Sequence, residues 1–241
     1  MTSARVTPAR LEDRLIVALD VPSIEEARAL IDKLDGVVSF FKLGLWLQFA
    51  AGFDGLVTEL RNKNKRVFLD AKMYDIGETV KQGVARAAER GVTFVTVHGD
   101  SEIMKAAVAG RGDSPLKIFA ISVLTSVDQD GLRDLGYLCK VDELIRLRVR
   151  RAAECGCDGI IAAPNDNPNQ MRERAGAPQL LVATPGVRLP GASVDDHKRP
   201  GTPVQAIAAG ADYLVVGRPI VRSPDPARAA AAIIDNMRSA V

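Results

Sequence analysis

Short runs rich in Val, Ile, Leu and Phe recur along the chain, separated by longer segments with helical spacing. Eight of the runs read as strands: RLIVALD (14–20), VVSFFKL (37–43), RVFLDAK (66–72), TFVTVH (93–98), KIFAISVL (117–124), GIIAA (159–163), LLVAT (180–184) and DYLVVG (212–217). Most are apolar on both faces, as strands buried in a parallel sheet are. Between them the period becomes that of a helix. In 23–34, Ile24, Ala27, Leu30 and Ile31 share one face; in 78–90, Val80, Val84, Ala87 and Ala88 do so. Ser23, with Glu26 three residues on, has the pattern of an N-cap, and 225–239 is an Ala-rich final helix. Eight strand–helix units predict an α/β fold, a (β/α)8 TIM barrel in a single domain. An open doubly wound sheet would need a glycine-rich turn after the first strand, where this chain has ALDVPS. The barrel is placed at 14–241, with 1–13 as an N-terminal extension.

Composition narrows the partners. The 241 residues carry a net charge of +2 with few aromatics, and no long basic or acidic run, which argues against nucleic acid. No apolar run approaches the ~20 residues of a membrane span, and the start MTSARVTPARLEDR lacks the apolar core of a secretory signal. Three cysteines, Cys139, Cys155 and Cys157, show no framework spacing, which points to a reducing, cytoplasmic location. Cys155-Gly156-Cys157 has no second pair to complete a zinc site, and only two histidines accompany it.

The strand ends carry the candidate chemistry. In a barrel of this kind the active site forms at the C-terminal ends of the strands. There lie Asp20, Lys42, Asp70, Lys72, His98, Thr125, Arg188 and Gly217-Arg218, with Asp75 just beyond strand 3. Alternation along a strand points Asp70 and Lys72 the same way. Charges of opposite sign in one small space favour each other's ionised forms, and a lysine held between carboxylates stays protonated and can act as an acid. Asp20, Lys42, Asp70, Lys72 and Asp75 are therefore expected to converge on one mouth. Gly217-Arg218, with Arg188, is the expected phosphate site, because barrels often bind phosphate after strands 7 and 8. The connection 184–203 has neither strand nor helix pattern and is long enough to serve as a lid.

The segments LIVALDVPS, FKLGLWL, LDAKMYDIGETV, VLTS, TPGVR, DDHKRPGTP and VVGRPI resemble, in order and spacing, the orotidine 5'-phosphate decarboxylase family. The resemblance covers about residues 14 to 235. It implies a homodimeric barrel that converts orotidine 5'-monophosphate to UMP and CO2, the last step of UMP biosynthesis, with no metal or organic cofactor. It further implies that Lys72 protonates C6 of the pyrimidine, that Asp70 sits against the substrate carboxylate, and that Lys42 bridges Asp70 and the ribose. Asp20 would hold a ribose hydroxyl, and Thr125 would contact the pyrimidine. Asp75, Ile76 and Thr79 would enter the neighbouring subunit's site, and Arg188, His197, Gly217 and Arg218 would hold the phosphate. The chain departs from the family pattern at Gly77 and Glu78, where Pro-Asn is common, at His197, where glutamine is common, and at HGDSEIM after strand 4.

Two rival readings remain at this level. The keto-sugar-phosphate decarboxylases share the D-x-K-x-x-D pattern but use Mg²⁺, with a glutamate where this chain has Lys42; an ammonium there would repel the ion. A non-catalytic, nucleotide-binding barrel is the other. It gives no purpose to a lysine placed between two aspartates.

Overall fold

The computed structural model describes residues 5–189 and 201–240. The eight expected strands are all present: β1 (Leu15–Leu19), β2 (Phe40–Leu43), β3 (Arg66–Met73), β4 (Phe94–His98), β5 (Lys117–Ile121), β6 (Gly159–Ile161), β7 (Leu181–Pro185) and β8 (Tyr213–Val216). They pair in chain order, all parallel, and β8 returns to β1 to close the barrel. Closure leaves no open sheet edge. Some strands are shorter than their apolar runs. Val37 and Val38 belong to the turn after the first helix, where their N–H groups reach back to the Leu34 carbonyl. β6 is cut short because Pro164 opens a helical turn. The expected helices span Ile24–Lys33, Gly77–Glu89 and Pro226–Arg238, and Ser23 Oγ caps the first by accepting from the Glu26 N–H at 3.2 Å. No helix among the described residues is long and apolar enough to cross a membrane.

Each strand divides its side chains between two cores, one against the helices and one inside the barrel. The outer core takes Leu15, Val17, Phe41, Leu43, Val95, Val97 and their equivalents. The inner core holds Ile16, Ala18, Phe40, Phe68, Phe94, Phe119 and Tyr213. The inner aromatic rings form a floor across the barrel. Phe94 stacks on Phe119 at 4.4 Å between centroids and meets Phe40 and Tyr213 edge-on at 4.9 and 5.1 Å. Following the inward parity up each strand from this floor leads to Asp20, Lys42, Asp70 and Thr96.

β3 departs from regular geometry where it matters. It is in register with β4 at Leu69–Val95 and again at Met73–Val97, so four steps on β3 face two on β4. The strand thus carries two extra residues there, and Lys72 adopts φ 46°, the left-handed region. Simple alternation, which predicts that Asp70 and Lys72 point the same way, stops at Leu69. The two side chains still meet, because the bulge turns Lys72 back over the barrel.

Candidate active site

Above the aromatic floor opens a cavity of about 500 Å³, lined by Asp20, Lys42, Asp70 and Lys72 and by Arg188, Gly217 and Arg218. Ile121, Leu124, Ile161 and Val215 supply apolar wall between them. Lys42 lies 3.0 Å from Asp20 Oδ1 and 3.1 Å from Asp70 Oδ2. Lys72 Nζ reaches the same Asp70 oxygen at 2.7 Å. The four groups form a chain, Asp20–Lys42–Asp70–Lys72, in which one carboxylate oxygen is shared by two ammonium groups. Gly44 makes room for it, since a Cβ there would run into Asp20 Oδ1.

Electrostatics fix the ionisation of the two buried members. Burial is the largest single influence on Lys42 and works against its charged form, but Asp70 and Asp20 together outweigh it and raise its pKa. Asp70 mirrors this. Burial favours its neutral acid, and Lys42 and Lys72 overcome that and hold it below the usual carboxylate value. Lys42 is an ammonium and Asp70 a carboxylate at neutral pH. The Lys72 side chain is 45% exposed to the cavity, so its amine is free to meet a ligand while Lys42 and Asp70 stay covered.

Asp70 has a further partner that sequence reasoning missed. Its Oδ1 accepts from the Thr96 hydroxyl at 2.9 Å, and the same hydroxyl accepts from the Lys72 N–H at 2.9 Å. Thr96 is fully buried on β4. The signal was present, because a hydroxyl on the inward parity of a buried strand must find partners. Trp46 and Arg222 also line the cavity without having been predicted.

The other expected residues divide. Thr125, Arg188, Gly217 and Arg218 line the cavity. Gly217 caps the short helix Arg218–Val221, and Arg188 is buried with its guanidinium donating to the Val187 carbonyl at 2.8 Å. Asp75, Ile76 and Thr79 are exposed and do not line the cavity, so Asp75 does not converge with the other four charges. Asp75 instead accepts from the Ile76 N–H at 2.6 Å and forms no ion pair with the described residues. The physical reason is the bulge: past Lys72 the chain turns outward into the helix Gly77–Glu89. Lys72 is therefore held by one carboxylate of its own chain, and the expectation of two is corrected. His98 ends β4 half-buried, its ring 4.7 Å from Tyr74; burial, then Arg148, keep its pKa below the ordinary value. His197 and most of the expected lid, 190–200, lie outside the described residues.

Residues 13–233 match the model of the orotidine 5'-phosphate decarboxylase / HUMPS family. A curated orotidine 5'-phosphate decarboxylase of Rhodopseudomonas palustris is 48% identical, over 98% of this chain and 99% of its own. One from Nitrobacter winogradskyi is 47% identical, over 95% of this chain and 94% of its own. The crystal structure of orotidine 5'-phosphate decarboxylase from Lactobacillus acidophilus superposes with a TM-score of 0.80 at 33% identity, covering 93% of this chain and 99% of that one.

Proposed function

The chain belongs to the orotidine 5'-phosphate decarboxylase / HUMPS family, and from that premise and the charge network we infer that it converts orotidine 5'-monophosphate to UMP and CO2. The observation that carries the reading is Lys72 Nζ at 2.7 Å from Asp70 in a cavity that Arg188 and Arg218 also line. Cleavage of the C6–carboxylate bond leaves the electron pair on C6 as CO2 departs. That charge lies in the ring plane, in an sp2 orbital with no adjacent carbonyl to delocalise it. A fixed ammonium beside C6 stabilises it only as the bond breaks, so the contact lowers the barrier and not merely the energy of the bound substrate. Lys72 then gives its proton to C6 and regains one from solvent. Asp70 orients Lys72 and faces the leaving carboxylate. Lys42, anchored by Asp20 and Asp70, keeps that wall rigid and, with Asp20, takes the ribose hydroxyls.

Arg188 and Arg218, with backbone N–H groups at Gly217, take the 5'-phosphate, and His197 joins them from the 190–200 segment. Thr125 contacts the pyrimidine. Phosphate binding far from C6 supplies energy that positions the reacting end. No metal or organic cofactor has a part in this scheme. The Lys42 ammonium stands between Asp20 and Asp70, where it would repel a divalent ion, which disfavours the keto-sugar reading.

The site is completed by a second copy of the chain. Asp75, Ile76 and Thr79 are exposed beyond the Asp70–Lys72 end of β3, as are Tyr74 on the same connection and Trp46 and Phe49 after β2. Polar and apolar groups so placed suit a two-fold interface that inserts them into a partner's cavity. The enzyme so read acts in the cytoplasm, its barrel domain running over 14–241 behind an extension at 1–13.

The test is turnover of orotidine 5'-monophosphate in excess EDTA by the wild type and by Lys72→Ala. EDTA-resistant turnover that falls at least ~1000-fold in the variant is expected. Loss of wild-type turnover in EDTA, or near-normal rates in the variant, would contradict the scheme.

A further inference from the structure

We propose that Thr96 is a positioning residue for the decarboxylation, its one hydroxyl setting both the Asp70 carboxylate and the backbone from which Lys72 projects. The proposal rests on the reading of Lys72 and Asp70 as the reacting pair. Thr96 sits two residues above Phe94 of the aromatic floor, on the inward face of β4, with 0% exposure. A hydroxyl has one proton. The Lys72 N–H can only donate and an ionised carboxylate can only accept, so the proton is committed to Asp70 Oδ1 and the lone pair to Lys72. The direction of both hydrogen bonds is thereby fixed, and each strengthens the other.

The backbone needs such a hold. Lys72 occupies the left-handed region at φ 46°, which a residue with a side chain adopts at a cost and keeps only when its surroundings impose it. The β3–β4 register passes from Leu69–Val95 to Met73–Val97 with no pair between, so Lys72 stands outside the regular ladder. The Thr96 hydroxyl supplies the missing acceptor. Two residues on, His98 braces Tyr74 ring against ring, so β4 supports the bulge on both sides of Met73. Asp70 Oδ2 is shared by two ammonium groups, whereas Oδ1 takes the Thr96 bond. Without that bond the carboxylate can rotate about its own axis, and the Lys72 amine follows it.

Thr96→Val keeps the shape and the β-branch and removes the hydroxyl. Thr96→Ser keeps the hydroxyl and removes a methyl. The experiment measures kcat and KM for orotidine 5'-monophosphate and the Kd for UMP in both variants, with wild type and Lys72→Ala alongside. The expected result is a kcat lower by roughly 10- to 100-fold in Thr96→Val, the scale of a small misplacement of reacting groups. KM and the UMP Kd should stay within about threefold, and Thr96→Ser should recover most of kcat. A purely structural residue would not split the constants this way. Thr96→Val within about twofold of wild type in kcat overturns the proposal. So does a Ser variant as slow as Val, or an equal loss in UMP affinity. If Thr96→Val does not fold, Thr96→Ala takes its place in the same comparison. An active Lys72→Ala would overturn the underlying reading, and Thr96's role with it.

Discussion

Charged groups are buried at both ends of this barrel, on either side of the aromatic floor, and the two ends are wired differently. Below the floor, Arg172 and Asp212 form an ion pair with each side chain almost fully buried. Arg172 also donates to the carbonyls of Leu180 and Gly210, at 2.8 and 2.9 Å, and to Asn169 Oδ1 at 3.3 Å. Asp212 accepts from the Val182 N–H at 2.8 Å and from the Thr7 hydroxyl, while Arg14 binds the Ala211 and Asp212 carbonyls. Both Asp212 oxygens are taken up there, Oδ1 by Arg5 and Thr7 of the N-terminal segment and Oδ2 by Arg172 and the Val182 N–H. Above the floor, two lysines compete for one Asp70 oxygen, and Lys72 remains half open to a cavity. A saturated network holds a fold together. An unsaturated one opening on a cavity keeps a charge available for a ligand, which is the pattern of functional sites.

The largest effect should come from the upper end. Asp70→Asn removes the shared anchor, and turnover should fall by roughly 1000-fold or more while the barrel stays folded by circular dichroism. Next is the lower end. Arg172→Met removes the buried cation of Asp212, leaving it the half-exposed Arg5 at 3.6 Å, and should cost about 3 kcal/mol in denaturant unfolding, with kcat per folded molecule unchanged. If Arg172→Met instead lowers kcat and not stability, the contrast between the ends is lost.

The third prediction concerns the outward-facing aspartate. Asp75→Ala should lower turnover by ~100-fold if it completes a partner's site. Mixing it with Lys72→Ala and allowing subunit exchange should restore about a quarter of wild-type activity. Half the dimers are then mixed, and each has one intact site of two. No recovery would mean that Asp75 does not complete a partner's site. The smallest effect is a pH dependence. The folded His98 pKa lies below the ordinary 6.5, so its contribution to stability is full above that pH and fades as pH falls through the folded value. His98→Phe, which keeps a ring against Tyr74, should therefore lose less stability than wild type between pH 7 and 5 in thermal melts.

The barrel was legible in the sequence because buried parallel strands and amphipathic helices differ in period over whole segments, as in RLIVALD against 23–34. The inward charges were legible because Asp20, Lys42 and Asp70 break apolar runs at strand ends. The bulge was not, since LDAKMYD continues a regular alternation and nothing in it marks the two extra residues that only β4 reveals. Thr96 was passed over because threonine is an ordinary strand former in TFVTVH, and its worth depends on partners 24 and 26 residues away. Asp75 was grouped with the inward charges on proximity alone. Where a chain leaves a strand end, two or three residues suffice to turn a side chain from the cavity to the surface.

The most direct test of the contrast is to measure turnover and melting temperature together in Lys72→Met. The Asp70 carboxylate would keep Lys42 and the Thr96 hydroxyl, so no buried charge is orphaned. The predicted result is turnover reduced to near background with a melting temperature equal to or above that of wild type. A melting temperature that falls in step with turnover, as Arg172→Met should show for stability alone, would mean that the upper network is structural, and would contradict the account.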